Sequence, residues 1–75
     1  MFVEKAFERL SKNIDVELVF LRCKDTRNWD ELRKVVEIIL VMDDIELNEF
    51  IIEELTERLR EYFTELYNGR NRKSS

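Results

Sequence analysis

The chain has 75 residues, of which 40% are charged, and its formal net charge at pH 7 is −4. It has no histidine and one cysteine, Cys23, which excludes a disulfide within the chain and leaves no ligand set for a structural zinc ion. A domain of this size rarely buries enough apolar surface without a disulfide, a metal or a second subunit. We therefore expect self-association or a bound partner, and no cofactor.

The opening residues, MFVEKAFERL, carry charges where a signal peptide would be apolar, so none is expected. No apolar run approaches the roughly 18 residues that a membrane span requires. A lone cysteine suits a reducing compartment, and the acidic balance differs from the basic balance of most nucleic-acid-binding domains. We predict a cytoplasmic protein that stays out of membranes and whose partner is a protein with a basic surface rather than nucleic acid.

The first predicted element is helical. Proline is absent and Gly69 is the only glycine, so the sequence favours helices joined by short polar turns. Val3, Phe7 and Leu10 share one helical face. Ile14, Leu18 and Leu21 can continue that face after the polar interruption at residues 11–13.

Two questions stay open in this region. Asn13 or Asp15 could cap a new helix, so one long helix to about Cys23 and two short helices are both compatible with the pattern. Residues 15–22, DVELVFLR, also read as a β-strand, because valine, phenylalanine and leucine favour strands. We expect the helix and keep the strand as its alternative.

The next helix follows the polar stretch KDTRN. NWDE reads as a capping box, with Asn28 at the N-cap and Glu31 three residues later. Asp43 and Asp44 should end this helix because carboxylates oppose the dipole at a helix C-terminus. Asp43 would then cap the last helix, with Glu46 as its capping-box partner. The apolar face of the helix consists of Trp29, Leu32, Val35, Val36, Ile39 and Leu40, and Trp29 should anchor the preceding loop on the core.

The stretch VVEIILVM, residues 35–42, is apolar around its whole circumference except at Glu37. A helix that is hydrophobic all round is buried on several sides. Two companion helices of one short chain leave part of such a surface uncovered. We predict that Ile38, Val41 and Met42 lie against another chain.

The last helix has the clearest pattern. Its apolar positions alternate spacings of three and four for three heptads, which is typical of a coiled-coil or bundle seam, and Phe50, Ile51 and Phe63 widen it. Asn48 would either fix the register of this seam or simply sit in the first turn of the helix. Together with the middle helix, the predicted dimer or partner interface is Ile38, Val41, Met42, Asn48, Ile52, Leu55, Leu59, Tyr62 and Leu66.

Asn68-Gly69 reads as a C-cap, with glycine free to adopt the left-handed conformation. We therefore expect one helical domain over residues 1–69 and a mobile basic tail over residues 70–75. Arg70, Arg72 and Lys73 in that tail could contact phosphate, or could simply form a solubilising end.

Glutamates recur every four residues along the last helix, at Glu49, Glu53, Glu57 and Glu61, and Glu65 extends the row. Like charges at this spacing destabilise a helix by a few tenths of a kcal/mol per pair, about 0.2–0.5. The row is either a solvated face or a docking surface for a basic partner, where complementary charge speeds encounter.

Catalytic signals are missing from the sequence. There is no Ser-His or Cys-His pair, no glycine-rich phosphate loop and no metal-ligand cluster. Cys23 could be a reactive thiol, but cysteine more often behaves as a small buried hydrophobe. We predict that the protein is not an enzyme.

One resemblance concerns LNEFIIEEL, residues 47–55, which is similar to the start of the second helix of ribbon-helix-helix repressors. In that family a strand before the first helix reads the major groove, and DVELVFLR would supply it. Its outward side chains would be Glu17, Val19 and Leu21. This acidic and apolar face would be repelled by phosphate and would offer bases almost no hydrogen bonds. A direct DNA-binding regulator of this type is the alternative function.

A second resemblance covers more of the chain, roughly residues 13–67. DVELVFLRC, then WDELRKVVE, then ERLREYFTELY resemble the haemolysin-expression-modulating (Hha/YmoA) family of small helical proteins. The matching positions are Asp15, Arg22, Cys23, Asp30, Leu32, Val35, Glu37, Arg58, Leu59, Leu66 and Tyr67. The resemblance implies a protein that binds the nucleoid-structuring protein H-NS and modulates transcription without strong DNA reading of its own.

Together these patterns predict an all-α bundle of three or four helices, completed by homodimerisation. The expected function is a small regulatory adaptor that binds another protein, such as one that handles DNA. A purely structural or antagonist protein has the same sequence features.

Overall fold

The computed structural model describes residues 2–46 and 48–74, and for Phe2 and residues 70–74 it describes the backbone only. The chain folds into four α-helices, which confirms the all-α prediction. No strand occurs among the described residues, and the alternative strand over residues 15–22 is wrong because that segment is helical. The helices are α1 (Phe2–Ser11), α2 (Ile14–Thr26), α3 (Asp30–Met42) and α4 (Glu49–Ser74).

The break between α1 and α2 is made by Asn13. Its backbone is extended, and its side-chain oxygen accepts hydrogen bonds from the backbone N–H groups of Asp15 (2.8 Å) and Val16 (3.3 Å). These two groups have no partner within the helix, so the asparagine satisfies them. Of the two arrangements open from the sequence, the chain adopts two short helices.

The turn from α2 to α3 is built differently from the predicted capping box. Arg27 ends α2 in the left-handed conformation (φ 61°), and its N–H donates to the carbonyl of Cys23 at 2.7 Å. Asn28 accepts from the N–H of Asp30 at 3.2 Å, but the N-cap of α3 is Trp29 and not Asn28 as predicted. A capping box would also have the Glu31 carboxylate accept a hydrogen bond from the backbone N–H of Asn28. This prediction is wrong, because the carboxylate instead pairs with Arg22 of α2 at 3.2 Å.

The end of α3 is a Schellman motif. Asp44 has a φ of 62°, its N–H donates to the Val41 carbonyl at 3.0 Å, and the N–H of Ile45 donates to the Leu40 carbonyl at 2.9 Å. Ile45 also packs against the core that contains Leu40, the apolar contact that accompanies this motif. Asp43 is therefore the C-cap of α3, and its predicted role as N-cap of the last helix is wrong.

The last helix begins later than predicted, at Glu49. The Asn48 side chain accepts a 2.8 Å hydrogen bond from the N–H of Phe50 and is exposed. Asn48 therefore occupies the capping position of α4, which is the simpler of its two predicted roles. Its assignment to an interface with a partner stays a prediction.

The predicted C-cap at Asn68-Gly69 is also wrong. The backbone of α4 continues through Gly69 to Ser74, and Gly69 has no positive φ. A glycine can remain helical when the surrounding residues favour helix, at a cost of about 1 kcal/mol relative to alanine. The side chains of Arg70, Arg72 and Lys73, which were predicted to contact phosphate, lie outside the described part of the structure. The predicted mobility of the tail stays a prediction.

The core lies where α4 crosses the other three helices. Helix α1 packs on α4, α2 packs on α3, and α3 also packs on α4. Phe20 is at the centre, with ring centroids 5.2 Å from Phe63 and 5.5 Å from Trp29. The buried apolar side chains are Ala6, Leu10, Val16, Phe20, Cys23, Leu32, Val36, Leu40, Ile52, Leu55, Leu59 and Phe63.

Candidate interaction surfaces

The apolar seam of α4 is used inside the chain. Ile52, Leu55 and Leu59 are buried against the other helices, and Leu66 is half-buried beside them. Tyr62 lies at the edge, with Phe7 of α1 packed edge-on against its ring at 5.7 Å. The heptad pattern therefore predicted a bundle seam correctly. The assignment of Ile52, Leu55 and Leu59 to an interface with another chain is wrong because they are buried inside this one, whereas that of Tyr62 and Leu66 stays a prediction.

The outer surface of α3 remains exposed, as the sequence predicted. Ile38 is 57% exposed, Val41 55% and Met42 78%. With Glu37 they line a shallow groove along the last two turns of the helix. Helix α3 buries Leu32, Val36 and Leu40 on its opposite side, so these three side chains face away from the core.

Helix α2 carries a second exposed pair that sequence reasoning missed. Ile14 is 71% exposed and Leu18 is 55% exposed. The prediction placed them on the buried face of a continuing first helix, whereas the break at Asn13 rotates α2 so that Val16, Phe20 and Cys23 face the core. The sequence did contain evidence for this exposure, because α2 has apolar residues on two opposite sides and only one side can face the core.

The exposed apolar residues of α2 and those of α3 lie on one side of the molecule. Helices α2 and α3 are joined by a short turn and run antiparallel, and the Arg22–Glu31 ion pair joins their outer surfaces near that turn. Leu18 lies one turn from Arg22, and Ile38 lies two turns from Glu31, so both point away from the core on the outside of the pair. We call Ile14, Leu18, Ile38, Val41 and Met42 the apolar face.

The glutamate row of α4 is exposed along its length, but its two halves differ. Arg33 of α3 lies 3.5 Å from the carboxylate of Glu53 and 3.8 Å from that of Glu49, and it also approaches Glu37 at 3.6 Å. The first half is therefore partly neutralised by a neighbouring helix, which the sequence did not reveal. We call the second half, Glu57, Glu61 and Glu65, the acidic strip; its members make no ion pair with a described residue.

Trp29 anchors the α2–α3 turn, as predicted. One side of its ring contacts Phe20, and the guanidinium carbon of Arg60 lies 4.2 Å from the ring centroid. Asp30, Arg33, Glu53, Thr56 and Glu57 border the same open cleft. The cleft presents both charge signs, and its arginines already contact Trp29 or glutamates. It therefore offers no free cation to an incoming anion.

Cys23 is fully buried between α2 and α3. Burial raises the pKa of its thiol above the ordinary value, and a hydrogen bond with the Leu32 backbone opposes this only in part. Because the thiolate is the nucleophile, a buried thiol with a raised pKa is unreactive. The prediction of a small buried hydrophobe is confirmed.

Two further observations bear on chemistry. Over residues 2–46 and 48–74, no three His, Cys, Asp or Glu side chains are grouped so that they could hold a metal ion. None of the described helices is long and apolar enough to cross a membrane.

Comparison of the chain with family models, with curated proteins and with solved structures finds no match. The resemblance to the haemolysin-expression-modulating family therefore stays a prediction.

Proposed function

We propose that this chain is a small, non-catalytic protein–protein interaction module that acts as a regulatory adaptor in the cytoplasm. The observation that carries the proposal is the apolar face, on which five large side chains are each more than half exposed. Single exposed hydrophobic residues are common on protein surfaces, but a contiguous set is typical of an interaction site.

The physical gain comes from removing this surface from water. Burial of apolar area contributes about 25 cal/mol per Å², and the apolar face occupies one side of a molecule only 27 Å by 20 Å across its shorter axes. The Arg22–Glu31 ion pair, at the end of the face nearest the α2–α3 turn, forms part of a charged rim. An apolar centre with a charged rim is the usual composition of a binding interface.

An adaptor needs a second interaction surface, and the acidic strip is suited to that role. Glu57, Glu61 and Glu65 point away from the core on α4, whereas the apolar face lies on α2 and α3. Their negative charges make a basic surface the matching partner, because complementary charge accelerates encounter and excludes wrong partners. A DNA-associated protein is a partner with this chemistry, in agreement with the family resemblance.

Site-specific photo-crosslinking in host cells tests the proposal. A photoreactive side chain at Met42, on the apolar face, should form an adduct with a polypeptide. The same group at Lys5, an exposed position on α1, serves as the control. The proposal fails if adducts at the two positions are equally weak or identical in composition.

Direct DNA binding is the competing function. The strand that would read the major groove is absent, because residues 15–22 belong to α2, and Arg70, Arg72 and Lys73 remain as its basis. A titration with duplex DNA at two salt concentrations separates the two. We expect weak binding that vanishes at higher salt, whereas tight, sequence-dependent binding would favour the DNA-binding regulator.

A further inference from the structure

We propose that the occupant of the apolar face is a second copy of this chain, with the two α3 helices antiparallel about a two-fold axis near Ile38 and Val41. This inference rests on the proposed function, because it names the partner of the same face. It requires that the face be complementary to itself, as every isologous two-fold contact must be.

The charges along the outer surface of α3 provide that complementarity. Lys34 is exposed one turn before Ile38, and Asp44 is exposed just beyond Met42. Neither makes an ion pair with any residue that the structure describes. The surface therefore has a positive end, a largely apolar middle bordered by Glu37, which is paired with Arg33, and a negative end.

In an antiparallel dimer, the positive end of each chain meets the negative end of the other, so the pairing occurs twice. Residues 34 and 44 are equally distant in sequence from residue 39, so a two-fold axis at the middle of the stretch brings Lys34 of each chain towards Asp44 of the other. Ile38 and Val41 lie on either side of that axis, so Ile38 of each chain meets Val41 of the other. A parallel copy would place lysine near lysine and aspartate near aspartate, and it would also align two helix dipoles unfavourably.

A dimer interface of ordinary size must also include residues of α2. A standard interface buries about 800 Å² on each partner, which three side chains of α3 cannot supply. Ile14 and Leu18 of α2, the helix that packs on α3, are both more than half exposed and extend the apolar area. A short chain whose single cysteine cannot form an internal disulfide gains most from such a contact, because its own core is small.

The first test compares two matched changes by sedimentation equilibrium. Wild-type protein should sediment as a dimer at micromolar concentration, and Ile38→Glu as a monomer with unchanged helical circular dichroism. Phe50→Glu is the matched control, because Phe50 is 82% exposed but belongs to α4 rather than to the apolar face, and this variant should remain dimeric. A monomeric wild type at about 100 micromolar, roughly a hundred times the expected range, would overturn the inference.

The second test fixes the orientation. Lys34→Glu and Asp44→Lys should each weaken the homodimer about tenfold, because each places like charges opposite one another twice. Mixed in equal amounts, the two variants should form a heterodimer of wild-type affinity. In that heterodimer the glutamate introduced in one chain faces the lysine introduced in the other, and the remaining pair is the native Asp44 with the native Lys34. A mixture no tighter than the separate variants would rule out the antiparallel register.

The two proposals can fail separately. If the wild type is monomeric but the group at Met42 crosslinks to a different protein, the apolar face is an interaction site and the self-association is wrong. If the wild type is dimeric but Ile38→Glu is dimeric too, the dimer uses another surface. If no crosslink to any polypeptide forms at Met42, both proposals are wrong.

Discussion

The guanidinium group of Arg60 covers the indole ring of Trp29, with 4.2 Å between its central carbon and the ring centroid. This contact connects α4 to the turn between α2 and α3, and Phe20 supports the ring from the core side. A cation over an indole ring contributes about 0.5–1 kcal/mol when exposed and more when desolvated. The pair therefore holds α4 against the turn between α2 and α3.

Replacing Arg60 by alanine should lower the free energy of unfolding by about 1 kcal/mol, through the lost cation–π contact and the uncovered ring. Urea denaturation followed by tryptophan fluorescence measures this, because Trp29 is the only tryptophan. Arg58→Ala is the control: Arg58 pairs with Glu54 four residues away on the same exposed surface, and the change should cost under about 0.5 kcal/mol. Equal losses would contradict the assignment.

Asn48→Ala should destabilise the fold by about 1 kcal/mol, because the N–H of Phe50 loses its acceptor at the start of α4. Asn48→Ser should recover most of that loss, since serine is an equally good N-cap. Thermal and chemical denaturation of the three proteins measure the effect. If Asn48 were instead a polar residue fixing a dimer seam, alanine would tighten self-association, and sedimentation would detect this.

Arg27→Gly should stabilise the protein by about 0.5–1 kcal/mol. Arg27 holds a φ of 61° at the end of α2, where a side chain costs about 1–2 kcal/mol and glycine costs less, although glycine loses more entropy on folding. Arg27→Ala is the control and should give no such gain, because alanine keeps the strain. A denaturation midpoint for the glycine variant at or below that of wild type would count against this interpretation.

Cys23 should react with iodoacetamide at pH 8 far more slowly in the folded protein than in urea, because burial raises the pKa of its thiol. The raised pKa of the Cys23 thiol also makes the free energy of unfolding depend on pH. The unfolded chain loses the thiol proton above about pH 8.5, whereas the folded chain retains it, so this contribution to stability is complete below that pH and declines as the pH rises further. Cys23→Ala should remove this part of the decline, and rapid labelling of the native protein would refute the buried position.

The sequence predicted the helical class and the buried positions well, because both follow from local periodicity. Leu55 and Leu59 belong to a three-and-four repeat that only a helix can bury on one side. The exposure of Ile38, Val41 and Met42 was also predictable, since a helix with apolar residues all round exceeds what its neighbours can cover.

Helix ends and cross-helix contacts were less predictable. NWDE and DDIE both match a capping box by residue type, yet Glu31 is drawn to Arg22 and Asp43 remains with α3. The left-handed positions are occupied by Arg27 and Asp44 rather than by glycine, so composition gave no signal for them. At Glu31 and Asp43, ion pairs with Arg22 and Arg9 of other helices take the place of a capping interaction worth about 1 kcal/mol.

The contact between the first helix and the last has a kinetic consequence. Phe7 of α1 packs on Tyr62 of α4, and this contact joins residues 55 positions apart. Contacts of high sequence separation form late, because the loop between them must close first. During synthesis α2 and α3 can pair as soon as both have emerged, while α1 must wait for α4. We expect mutations in the α2–α3 pair to slow folding and mutations at Phe7 to speed unfolding, a division that stopped-flow φ-values measure.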